Sequence, residues 1–144
     1  MATVELSFTA LPAHVRTARL VATAVARRSG VDESLLDEVR LAVGEACSRA
    51  VEGHQLYCPA EPVRLALTDL AGRFEVEVTD TCAPEARWAT GPASGSADGN
   101  GGGLGIAPGL GIAVIEGLAD DVQISETSAG TSIRMSWPSA GAVR

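Results

Sequence analysis

The sequence predicts an α+β sandwich, a sheet built largely from hairpins with helices able to cover one face. Three observations predict it. Short runs alternate apolar and polar residues, as half-buried strands do. Two longer runs repeat apolar residues every three or four positions, as amphipathic helices do. The elements follow in the order strand, helix, helix, two strands, long loop, helix, two strands.

The first strand is "TVELSFTAL", Thr3 to Leu11, where Val4, Leu6 and Phe8 alternate with Glu5, Ser7 and Thr9. Pro12 opens a helical pattern through Val15, Ala18, Val21 and Val25 that stops at Gly30. Asp32 is a suitable cap for the second helix, whose apolar face holds Leu36, Val39, Val43, Cys47 and Ala50. That helix is expected to end near Val51, with "GHQLYCPAEP" as a loop. "VRLALTDL" and "FEVEVTD" form a hairpin around "AGR". Thr81 to Pro108 has no period and is rich in Gly, Ala, Ser and Pro, which predicts a mobile or functional loop. Gly109 to Ala119 fits a short helix, and "DVQISE" with "TSIRMSW" forms a second hairpin. The tail from about residue 138 reads as loose. Residues 1–144 are read as one domain.

Composition narrows the function classes. The 144 residues carry a net charge of −7, which disfavours nonspecific nucleic-acid binding. No apolar run spans a bilayer, and the N-terminus lacks a basic segment followed by an apolar one, so neither a membrane span nor a signal peptide is expected. The expected compartment is the cytoplasm. Cys47, Cys58 and Cys82 lack CxxC spacing and suggest neither a disulfide framework nor a zinc site. Cys47 reads as core, whereas Cys58 and Cys82 read as loop residues open to oxidation, without basic neighbours that would argue a reactive thiolate. His14 and His54 have no metal spacing and read as surface residues. Trp88 either anchors the long loop or contacts a partner.

The stretch "GLGIAPGLGIA", Gly103 to Ala113, nearly repeats itself. It is not a P-loop, because the chain contains no lysine, and it is not a GxGxxG fingerprint, because Pro108 and Val114 stand at the third glycine. Pro108 separates the copies, so the second one opens the helix. Gly109 and Gly111 there either expose backbone N–H groups to an anion or only permit a flexible loop and close packing.

"DEVRLAVGEACSRAV", "EVEVTD", the Gly-rich loop, "GLGIAVIEGLADDVQI" and "GTSIRMSW" together resemble the bacterial anti-sigma-factor serine kinases, relatives of the histidine-kinase ATP-binding domain. The resemblance covers about residues 3–137. It implies a mostly antiparallel sheet in a two-layer sandwich, a homodimer, a sigma-factor partner, and an anti-anti-sigma protein phosphorylated on serine with ATP and magnesium. It places Glu45 as general base. The family's magnesium-ligating asparagine, four residues on, is here Arg49, which has donors and no acceptor. Arg49 either pairs with Glu45 along the helix or touches phosphate. Asp80 matches the aspartate that reads the adenine amino group, but "DTCAP" puts Cys82 and Pro84 where the family has glycines, and Asp80 is otherwise a turn-forming aspartate at a strand end. Gly109, Leu110 and Gly111 match the phosphate loop, and Thr131 a threonine near the adenine. No position is assigned to a metal. The resemblance with these departures implies an anti-sigma factor that acts by binding, with reduced or absent ATP turnover. An active serine kinase is the alternative.

Overall fold

The computed structural model describes residues 2–82, 110–127 and 130–140. Along the chain these form β1 (Ala2–Phe8), α1 (Pro12–Arg28), α2 (Glu33–Tyr57), β2 (Val63–Leu70), β3 (Arg73–Asp80), α3 (Leu110–Leu118), β4 (Asp121–Thr127) and β5 (Gly130–Pro138). The strands make one antiparallel sheet in the order β1-β2-β3-β5-β4. The α+β sandwich expected from the sequence is therefore observed.

The alternation in each strand sets the register. Val4, Leu67, Val76, Met135 and Val122 stand opposite one another across all five strands. Directly paired residues share a face, so this row belongs to the core side, where Leu67, Val76 and Met135 are fully buried. One residue along, Glu5, Ala66, Glu77, Arg134 and Gln123 form the row on the other face. There Arg134 reaches Glu75 at 3.3 Å and Glu77 at 3.5 Å, as expected of a solvent-facing layer. Slipping any strand by one residue would exchange these two rows.

Helix α2 lies against β2 and β3, flanked by α1 and α3. Asp32 caps it, accepting from the Ser34 amide at 3.0 Å and from the Ser34 hydroxyl. Those bonds hold the Asp32 carboxyl below its usual range. Helix α1 begins with Pro12, which needs no N–H at that position. Its buried residues are Val15, Ala18, Ala22 and Ala26, and it packs along α2. The small side chains let the two helices approach closely. Gly44 is part of the same fit: a Cβ there would lie 2.7 Å from Arg19 Cδ, so the arginine stem crosses α2 over that glycine.

Two expectations need correction. Helix α2 runs to Tyr57 instead of ending near Val51. A mid-helix glycine costs only about 1 kcal/mol, and burial of His54, beyond the predicted end, carries the helix through Gly53. The tail is also tied down at its start. Pro138 closes β5, the Ser139 amide donates to Gly72 O at 3.0 Å, and the Ala140 amide donates to Gly30 O at 2.9 Å. The long loop expected over Thr81–Pro108, with Trp88, lies outside the described residues from 83 onward, as do residues 141–144.

Candidate functional site

The β2–β3 hairpin leaves the end of α2 and returns to it. Because Arg64 pairs with Thr79, the exit of β3 lies beside the entry of β2. The Thr81 hydroxyl donates to Pro62 O at 2.8 Å there. This return brings Asp80, Thr81 and Cys82 against the last turns of α2.

His54 occupies the centre of the junction and is wholly buried. Its Nδ1 lies 2.8 Å from Glu61 O, an oxygen that only accepts, so Nδ1 carries the proton. Nε2 is then the acceptor for the Thr81 amide, at 3.0 Å. Asp80 Oδ1 approaches the same nitrogen to 3.2 Å. One turn after His54, Cys58 is joined by a disulfide to Cys82, with Cα atoms 5.9 Å apart. Cys82 is buried. These positions correct the sequence reading. His54 is not a surface residue, and Cys58 and Cys82 are a pair. Both were obscured by ending α2 too early: with the helix continued, His54 and Cys58 fall at i and i+4 on one face. The hairpin then closes the 24-residue separation to Cys82.

Asp80 is 7% exposed at the end of β3. Its Oδ1 accepts from the Cys82 amide at 2.7 Å, the i to i+2 bond of an aspartate turn. The turn-forming reading of Asp80 is thus observed directly. The carboxylate leans towards α2: a Cβ on Gly53 would stand 3.8 Å from Oδ2. Thr131 is the cross-strand partner of Asp80, and its Oγ1 is buried with no hydrogen-bond partner among the described residues. Gly130, just before it, has φ 145°, and a Cβ there would fall 1.8 Å from the Asp80 carbonyl oxygen. Glycine is required at that point.

Glu45 and Arg49 lie further up α2. Glu45 is half-buried, and its pKa is raised, first by desolvation, then by Glu52, against the opposing charge of Arg49. No ion pair between Glu45 and Arg49 forms among the described residues. The Arg49 Nε is buried and has no hydrogen-bond partner among the described residues. Of the phosphate-loop residues, Gly109 lies outside the described residues, and Leu110 and Gly111 begin α3. The structure therefore brings Asp80 and Thr131 together and keeps Glu45 and Arg49 on one helix.

Residues 8–137 match the Histidine kinase-like ATPase domain family. The chain belongs to this family. Its fold is also similar to "the RsbU and RsbW domains of Rv1364c from Mycobacterium tuberculosis", with a TM-score of 0.69 at 17% identity over all of this chain and 34% of that one. The chain spans about a third of that protein's length. No curated protein matches it in sequence. Among the described residues no helix is long and apolar enough to cross a membrane.

ATP and magnesium are the groups the family implies. The residues do not fit the metal. Only Glu45 of the Glu45–Arg49 pair has lone pairs to offer, and a guanidinium puts positive charge where a cation would sit. The same guanidinium, with a buried donor unsatisfied, suits an anion.

Proposed function

We propose that the chain is an anti-sigma factor that sequesters a sigma factor by protein contact in the cytoplasm and is released by an anti-anti-sigma protein, with little or no ATP turnover. The observation that carries the reading is Arg49, buried at Nε with no partner among the described residues, beside the half-buried Glu45. Phosphoryl transfer depends on a metal ion to neutralise developing charge, and Arg49 supplies no ligand for one. The Asp80 carboxylate is engaged by the Cys82 amide, and a disulfide occupies the position where the resemblance expects a glycine. The partner class rests on the sequence resemblance and on the likeness in fold to an RsbW domain.

A homodimer through β1 and α1 belongs to the same proposal. Strand β1 is an edge of the sheet, and Val4 and Leu20 are 41% and 61% exposed. An uncovered edge strand is a template for pairing.

The active kinase remains the second reading, favoured by Glu45. A carboxylate whose pKa burial raises is a better proton acceptor at neutral pH than an ordinary one. A transcription assay separates the two. Inhibition by the purified chain without nucleotide supports sequestration. Inhibition only with Mg·ATP, together with serine phosphorylation of the anti-anti-sigma protein, supports the kinase. Arg49→Asn gives a second test by calorimetry. If Arg49 blocks a metal, the variant binds ATP more tightly with magnesium; if Arg49 grips phosphate, it binds more weakly, most of all with a chelator.

A further inference from the structure

We propose that His54, Cys58 and Cys82 form a site for a soft divalent cation of the zinc class, open when the cysteines are thiols and closed when they are joined. One ligand atom from each of the three lies within 4.8 Å of the others. Zinc–sulfur bonds near 2.3 Å and zinc–nitrogen bonds near 2.0 Å place tetrahedral ligands roughly 3.3–3.8 Å apart. Small side-chain rotations in the reduced chain therefore reach that geometry.

The surroundings suit a ligand set. The His54 Nδ1–H is held by Glu61 O at 2.8 Å, the outer contact that orients metal-binding histidines and turns Nε2 inward. The metal takes the Nε2 lone pair that now accepts from the Thr81 amide. Asp80 Oδ1 lies 3.2 Å from Nε2, at the edge of the site. The imidazole lone pair and the two sulfurs converge at one point. Water completes the fourth position. Cys47 takes no part: it is buried in the core, and desolvation pushes its thiol up to about 12.

The chemistry balances with a dithiol reductant. Its two thiols exchange with the Cys58–Cys82 disulfide, leaving two cysteine thiols and an oxidised cyclic dithiol. Zinc then binds both sulfurs as thiolates and releases two protons. Oxidation by a small disulfide reverses the first step and expels the ion.

The test uses the full chain in two states, reduced with dithiothreitol and desalted without air, or oxidised. Each is exposed to Zn²⁺, and to Co²⁺ as a coloured probe. The reduced chain should retain roughly one ion, Co²⁺ should show thiolate charge-transfer bands, and bound zinc should slow reoxidation at least tenfold. The oxidised chain and the Cys58→Ser/Cys82→Ser variant should retain none. Equal retention by the reduced and oxidised chains, or none by either, overturns the proposal. The comparison of the two wild-type states stands even if the double variant fails to fold.

Discussion

His54 is the side chain on which the junction of α2 with the β2–β3 hairpin turns, and its replacement gives a quantitative test. His54→Leu keeps an apolar group of similar bulk in a position with no exposure but removes both ring nitrogens. Two backbone groups then lose their partners, Glu61 O and the Thr81 amide. Each unsatisfied buried group costs about 1–3 kcal/mol, so the variant should be less stable by roughly 2–6 kcal/mol. For 144 residues, an unfolding entropy near 2.1 cal/mol/K per residue makes one degree worth about 0.3 kcal/mol, so Tm should fall by roughly 7–20 °C. His54→Gln can still offer an acceptor to Thr81 and should lose less. The assay is thermal melting by circular dichroism with the disulfide intact in every sample. A His54→Leu melt within 2 °C of wild type would refute the reasoning, since the two bonds would then contribute nothing net.

Gly130→Ala should destabilise by on the order of 3 kcal/mol or more, because its Cβ would overlap the Asp80 backbone at a φ that only glycine tolerates; urea titration with an unchanged midpoint would count against this. Glu45 is harder to ionise in the folded chain than in the unfolded one, so its contribution to stability falls as pH rises from the ordinary glutamate range through the raised folded value. Glu45→Gln should therefore melt higher than wild type at pH 7, with the gain disappearing in acid; an equal gain at both extremes would contradict the buried-charge account. Reducing the Cys58–Cys82 disulfide, which spans 24 residues, should lower stability by roughly 3 kcal/mol, read as the difference between melts with and without a dithiol in metal-free buffer.

The sheet was legible because alternation is a local signal. Val4, Leu6 and Phe8 could be assigned to one face of β1 before its pairing was known, and the pairing then placed Val4 in one row with Leu67, Val76 and Met135. Asp80 was legible as a strand end that forms a turn, and its i to i+2 bond is of that kind. The end of α2 was not legible, because a glycine at position 53 weighs against helix locally while the burial of His54 weighs for it only in the folded chain. The Cys58–Cys82 pairing depended on that same helix end and on the return of the hairpin, both nonlocal facts. That the Arg49 Nε has no partner among the described residues was equally hidden, since sequence spacing offers Glu45 as a partner without saying whether the side chains meet.

The seam between α1 and α2 constrains the chain in a way that hydropathy does not report. Ala18, Ala22 and Ala26 on the α1 side are buried, and Gly44 on the α2 side lies under the Arg19 stem, which leaves no room for growth. At these positions volume, not polarity, decides what is admitted. A serine is a smaller intrusion there than a leucine, although leucine is the more apolar residue. Drift along this seam should therefore exchange small residues for small ones. A single larger side chain would push the helices apart, and with them the Arg19 stem that lies over Gly44.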